Sequence, residues 1–171
     1  GIGAGYLEPE FRALGIPFAE RGARTDEFVA AMRVLWRDDE PVFDGRFVGF
    51  AGIQQRPRPA QRGGPPIVVG GASDAAIERA VRLGQGWYGF AMDIAATKTC
   101  IERLGAAQAR WGRGDDLGEL EISVTPRGKV TADLMKRFAD LGVHRVISLL
   151  PQDSEARALD TVAELGALTL R

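Results

Sequence analysis

The stretch that decides the fold reads Ile67-Val68-Val69-Gly70-Gly71-Ala72-Ser73. Its β-branched residues predict a short buried strand, and the two glycines that follow predict a turn. Ser73 is a typical N-cap, so the turn leads into a helix. Free N–H groups and the helix dipole favour an anion at such a helix start, which makes Gly70 to Ser73 a candidate phosphate site. A plain capped turn remains the alternative, because there is neither a Walker lysine nor a full G-x-G-x-x-G pattern.

Short strands alternate with longer helices on both sides of this stretch, as in an α/β protein. Asp44-Gly45 predicts a hairpin, and Thr25 is expected to cap the helix before it. Gly1-Ile-Gly-Ala-Gly5 fits the end of a further strand and its turn. The strands are predicted at 67–69, 86–90, 120–125 and 145–150, and the helices at 25–37, 73–84, 93–110, 131–142 and beyond 150.

These four strands, together with the one that ends at residues 1–5, fit two architectures equally well. They can form an open, doubly wound sheet, or they can be strands four to eight of a (β/α)₈ barrel. Periodicity does not separate the two. In either case the pattern predicts one domain over residues 1–171.

Composition excludes several classes of protein. The 171 residues carry a formal charge of -1, so no net basic field exists to hold a nucleic acid. No apolar stretch approaches the roughly 20 residues of a membrane span. Cys100 is the single cysteine and His144 the single histidine, so neither a disulfide nor a cysteine- or histidine-rich metal site is expected. A reducing cytoplasm suits such a chain.

Few other side chains are candidates for chemistry. His144 precedes the last predicted strand, so it would lie at the N-terminal face of a barrel, where residues serve stability and not catalysis. Cys100 lies in a predicted helix and is expected to be an inert packing residue. Arg127 ends a strand at the opposite rim and is the best-placed charge for an anionic ligand, although a solvated loop arginine is the simpler interpretation. No nucleophile–base pair or carboxylate dyad is evident, so no catalytic residue is assigned.

Several blocks in a fixed order resemble the luciferase-like monooxygenases. The first is Gly1-Ile-Gly-Ala-Gly-Tyr-Leu-Glu-Pro-Glu-Phe11, followed by Ala13-Leu14-Gly15. The others are Glu20-Arg21-Gly22-x-Arg24-x-x-Glu27, Leu35-Trp36, Phe43-x-Gly45-x-Phe47, Arg58-Pro59-x-Gln61, Pro65-Pro66-Ile67-x-Val69-Gly70-Gly71, Leu83-Gly84-x-Gly86-Trp87 and Leu141-Gly142-Val143-His144-Arg145-Val146. The similarity spans nearly the whole chain and is greatest to members that use the deazaflavin coenzyme F420.

The resemblance implies a (β/α)₈ barrel whose coenzyme, F420 or alternatively FMN, exchanges a hydride with a small organic substrate. It places the coenzyme phosphate on Gly70, Gly71, Ala72 and Ser73, and a second contact on Ala4, Gly5 and Tyr6. Ala4 stands where FMN-binding relatives carry an arginine, which favours F420. Tyr6 stands where some sugar-phosphate dehydrogenases carry a catalytic glutamate, which disfavours that substrate class.

The resemblance also begins near the fourth strand of the family's barrel. The chain is therefore expected to be the C-terminal part of such an enzyme, with strands one to three absent, and a homodimer is possible. Two alternatives remain open. One is a truncated barrel without catalysis, and the other is a phosphate-binding barrel enzyme of different chemistry, such as a Schiff-base aldolase. The second needs a lysine at a strand end, whereas Lys98, Lys129 and Lys136 all fall in or beside predicted helices.

Overall fold

The computed structural model describes residues 1–169 as a parallel sheet with helices packed on one face. The last two residues of the predicted domain lie outside this range. The helices are α1 (Glu8–Ala13), α2 (Arg21–Arg37), α3 (Asp74–Leu83), α4 (Ile94–Trp111), α5 (Ala132–Asp140) and α6 (Glu155–Thr169). The strands are β1 (Phe43–Asp44), β2 (Gly49–Phe50), β3 (Val68–Gly70), β4 (Gly86–Met92), β5 (Glu121–Pro126) and β6 (Arg145–Val146).

The order of the strands separates the two candidate architectures. The sheet runs β3-β4-β5-β6, and every neighbouring pair is parallel. On the free side of β3, Ile2 forms a parallel bridge with Val69 and so marks the position of the first predicted strand. A doubly wound sheet reverses its order at a switch point, whereas here each strand lies beside the next one in sequence. The fold is therefore part of a (β/α)₈ barrel.

The two faces of the sheet differ in chemistry. On one face Val69, Trp87 and Val124 are buried against the helices in a single apolar core. The other face, which is the interior side of the barrel, carries Tyr88 and Ser123 beside each other in register. This alternation directs apolar groups to the helices and polar groups to the interior.

Three predicted boundaries were wrong. Thr25 does not cap α2, because the helix already begins at Arg21 and Thr25 Oγ1 donates to the Arg21 carbonyl within it. The last strand ends at Val146 rather than at residue 150, and the first is reduced to the single bridge at Ile2. Both strands lie at an edge of the sheet, so no outer neighbour extends their ladders.

The β1–β2 hairpin is tied to α2 by the carboxylate of Glu27. Its oxygens accept the backbone N–H groups of Phe47 (2.6 Å), Val48 (2.8 Å) and Arg46 (3.0 Å). Burial raises the pKa of Glu27, but the three amide donors and Arg24 together outweigh burial and bring the pKa below its usual value. The ionised form of Glu27 is thus favoured in the folded chain.

We therefore expect the stabilisation from Glu27 to be lost in acid. The unfolded chain takes up the proton more readily, so the contribution is complete above the unfolded pKa of about 4.3 and disappears as the pH falls through the lower folded pKa. Urea midpoints of the wild type and Glu27→Gln, measured between about pH 7 and pH 3, should differ most at neutral pH and converge in acid. Glu119→Gln, at an exposed position, is the matched control and should track the wild type. A Glu27→Gln gap that does not change with pH contradicts this expectation.

Candidate functional site

The candidate phosphate site is the bend at Gly70–Ser73, between the carboxyl end of β3 and the start of α3. Ser73 caps α3 by accepting the Ala76 N–H at 3.3 Å, as the sequence predicted. Gly71 has φ +114, which side chains rarely adopt, and a Cβ there would lie 3.2 Å from the Cβ of Ala76. The bend therefore requires glycine at position 71.

The bend is open to solvent. Gly71, Ala72 and Ser73 are all exposed. The Gly70 and Gly71 amides are used within the sheet, donating to Ile2 (2.9 Å) and Tyr88 (3.2 Å). Within residues 1–169, the hydrogen bonds leave the amides of Ala72, Ser73, Asp74 and Ala75 without a protein acceptor. Four donors at a helix start thus remain for a ligand.

Two side chains from outside the bend hold it in shape. The indole N–H of Trp87, which is fully buried, donates to the Gly71 carbonyl at 2.8 Å. The guanidinium of Arg103 on α4 donates to the Ala72 carbonyl and to the Asp74 carboxylate, both at 2.6 Å. The sequence analysis identified neither Trp87 nor Arg103 as part of the bend. Arg103 could have been identified only from the packing of α4 against α3, because its hydrogen-bond partners lie about thirty residues earlier in the sequence.

The second predicted contact, Ala4 to Tyr6, follows the Ile2 bridge. Because Ile2 pairs in parallel with Val69, these residues leave the sheet at the same edge as the bend. Gly5 has φ +82, and a Cβ there would lie 2.7 Å from the Phe11 ring. Tyr6 is 89% exposed and is free to meet a ligand. The structure therefore brings both predicted segments to one rim.

The other candidate residues, His144, Cys100 and the lysines, have contacts that serve the fold and not a site. His144 lies at the opposite end of the sheet, where its Nδ1 accepts the Ile122 N–H at 3.0 Å. Cys100 is buried in α4, and burial raises the pKa of its thiol. Among the lysines, Lys98 and Lys136 lie on helices, and Lys129 pairs with Glu164 at 2.6 Å. No strand therefore offers a Schiff-base lysine.

Neither a metal-binding cluster nor a membrane-spanning helix is found in the described part of the chain. Residues 1–169 contain no group of three or more histidine, cysteine or acidic side chains that could hold a metal ion. Over the same residues, no helix has both the length and the apolar character needed to cross a bilayer.

Comparison with known proteins gives consistent matches. The sequence profile of the luciferase-like monooxygenases matches residues 1–144. An uncharacterised protein of Mycobacterium tuberculosis is 33% identical over 147 residues, which are 86% of this chain and 49% of that protein. The FMNH(2)-dependent dimethylsulfone monooxygenase of Pseudomonas putida is 31% identical over 118 residues, 67% of this chain and 32% of the enzyme. The chain thus spans half or less of these curated relatives.

A solved structure gives the same fold. The coenzyme F420-dependent tetrahydromethanopterin reductase of Methanopyrus kandleri superposes with a TM-score of 0.70. The superposition covers 95% of this chain and 71% of that one, at 11% identity. At such low identity the likeness supports the fold and nothing finer.

Proposed function

Because this chain belongs to the luciferase-like monooxygenase family, we propose that it is the coenzyme-phosphate-binding part of a flavin- or F420-dependent oxidoreductase. The reaction passes a hydride between the coenzyme and a small organic substrate. One observation carries the proposal: an exposed bend at the start of α3 presents four backbone amides that the protein leaves unpaired. Such a bend suits the anionic tail of a phosphate-bearing coenzyme.

The residues present fit such a coenzyme. Gly70, Gly71, Ala72 and Ser73 would hold its phosphate, since a Cβ at Gly71 would crowd the start of α3. Ala4, Gly5 and Tyr6 would meet the same tail from the neighbouring strand. The bound coenzyme supplies the ring that exchanges the hydride, while the protein supplies binding, orientation and electrostatics. No side chain of the chain is assigned a catalytic role.

F420 is the coenzyme we favour. The Pseudomonas putida relative is named for FMNH(2) and the Methanopyrus kandleri neighbour for F420, so both coenzymes occur among proteins similar to this chain. The resemblance places an arginine of FMN-binding relatives at the position of Ala4. Here that position offers no charge, and the backbone of the bend is left as the main anion ligand. The single buried thiol of Cys100 is in keeping with a cytoplasmic enzyme.

We also propose that this chain is the C-terminal half of a complete barrel. A compact chain of its mass exposes about 8,200 Å², whereas this one exposes 11096 Å². The excess of about 2,900 Å² is the size of a large permanent interface. Leu149, Leu150 and Leu159 are among the exposed apolar side chains, and a cavity of about 1160 Å³ opens between α6 and the loops after β5 and β6. Strands one to three of the barrel would cover this surface.

Equilibrium titration with F420 and with FMN tests both proposals. The full-length polypeptide, in which strands one to three would complete the barrel, should bind F420 more tightly than FMN. The 171-residue chain alone should bind F420 more weakly than the full-length polypeptide does. Gly71→Ala should weaken binding about tenfold or more, because it strains the bend and moves its amides. Gly105→Ala is the control, since a Cβ there meets nothing within 4 Å on α4 and alanine suits a helix.

Four results would overturn these assignments. If neither coenzyme binds the full-length polypeptide at micromolar concentration, the redox function is wrong and a non-catalytic barrel or another phosphate chemistry takes its place. Tighter binding of FMN overturns the choice of F420. If the 171-residue chain is a stable monomer with affinity equal to that of the full-length polypeptide, the half-barrel proposal is wrong. It is also wrong if the chain forms a stable homodimer, because a second copy then covers the open surface.

A further inference from the structure

The carboxyl end of β4 is irregular at the rim next to the bend. The pairing of β4 with β5 shifts register between Gly89 and Met92, which is a β-bulge. Ala91 has φ +53 and is the only non-glycine residue of the described chain with positive φ. Bulges and strained residues of this kind often re-aim a side chain at a functional site. Phe90 lies between Gly89 and Ala91 in this irregular segment, and its side chain is 61% exposed.

The irregular segment is held rigidly by the end of β5. The Nε of Arg127 donates to the Ala91 carbonyl at 3.1 Å, and the Arg127 backbone N–H donates to Met92 at 3.0 Å. Gly89 cannot carry a side chain, because a Cβ would lie 2.6 Å from the Trp87 ring. Phe90 is therefore presented by a fixed backbone and not by a loose loop.

Tyr88 links this segment to the bend. Its hydroxyl forms a 2.7 Å hydrogen bond with Thr125 Oγ1, and Thr125 is fully buried. Its ring lies beneath Gly70, with Cδ1 3.7 Å from the position of a Cβ there. Gly89 still pairs in register with Val124, so alternation up to the bulge places Phe90 on the same interior side as Tyr88. Two aromatic side chains thus follow each other along β4 toward its carboxyl end, beside the bend.

We infer that Tyr88 and Phe90 form an aromatic platform that binds the planar ring of the coenzyme whose phosphate lies on the bend. The inference rests on the proposed function. A ligand with a flat ring and an anionic tail needs an apolar surface beside an anion site, and the platform is continuous with the bend because Tyr88 pairs with Gly70 in the sheet. The Thr125 hydrogen bond fixes the orientation of the Tyr88 ring, while Phe90 offers its ring for stacking.

Probes with and without the tail distinguish the platform from the bend. The full-length polypeptide is titrated with FMN and riboflavin, and with F420 and its tail-free deazaflavin chromophore. Phe90→Ala should weaken both members of each pair equally, by about tenfold, because stacking involves the ring that they share. Gly71→Ala should weaken only the members with an anionic tail. Tyr88→Phe keeps the ring but loses the hydrogen bond to Thr125, so it should weaken affinity less than Phe90→Ala does.

Phe28→Ala provides the matched control, since Phe28 is 42% exposed on α2 and belongs to neither the platform nor the bend. Melting temperatures are recorded for every variant, and Phe90→Leu serves if Phe90→Ala fails to fold. If the Phe90 variants leave all affinities unchanged while Gly71→Ala weakens the tailed probes, the platform is wrong and the proposed function stands. A Phe90→Ala effect confined to the melting temperature also overturns the platform, since Phe90 then packs against other protein. If no probe binds the wild type, the proposed function itself fails.

Discussion

Trp87→Phe is expected to destabilise the chain by about 2–3 kcal/mol and to weaken coenzyme binding at the same time. Trp87 is fully buried between the sheet and α3, so the smaller ring leaves a cavity in the core. Its indole N–H is also the donor that holds the Gly71 carbonyl. The substitution therefore loosens the core and releases the bend whose amides we propose to bind the phosphate.

Urea unfolding followed by circular dichroism, together with coenzyme titration of the folded variant, measures both effects. Trp111→Phe is the matched control, because Trp111 is 47% exposed at the end of α4 and contacts arginine side chains at the surface. The control should stay within about 0.5 kcal/mol of the wild type. A Trp87→Phe variant that loses stability but keeps full coenzyme affinity would show that the bend does not depend on the indole.

Arg113→Met should destabilise the chain by about 3 kcal/mol without changing the affinity of the folded protein for coenzyme. The Arg113 guanidinium donates to the carbonyls of Val81 (2.9 Å) and Gly84 (2.8 Å) at the end of α3. It also holds those of Leu117 (3.0 Å) and Gly118 (2.6 Å) in the loop before β5. Burial lowers the pKa of Arg113 while Asp116 opposes that change, and the group remains a cation.

Methionine keeps most of the side-chain length but leaves these carbonyls without their donor. Thermal and urea unfolding measure the loss, and Arg62→Met at an exposed position is the control. Because Arg113 binds the carboxyl end of α3 and the bend lies at its amino end, coenzyme affinity should be unchanged. An Arg113→Met variant as stable as the wild type would mean that water replaces the guanidinium at no cost.

Much of the fold could be predicted because its signals are local. The run of β-branched residues before Gly70-Gly71 and the capping hydroxyl of Ser73 each act within a few positions, and the structure confirms the strand, the turn and the cap. The helices predicted at 93–110 and 131–142 are also present, as α4 and α5. The local pattern failed at Thr25, where a short 3₁₀ turn at Phe18–Glu20 leads directly into α2 and starts the helix earlier.

The sequence by itself determined where strands, turns and helices form, and it pointed to the bend as an anion site, because those features depend on neighbouring residues. The tertiary structure alone decided that the strands follow one another as in a barrel, and that Trp87 and Arg103 hold the bend. It alone placed Phe90 on a fixed bulge beside Tyr88. These contacts join residues 16 to 36 positions apart. No periodic pattern specifies such pairs, because they exist only once the sheet has set which strand lies beside which.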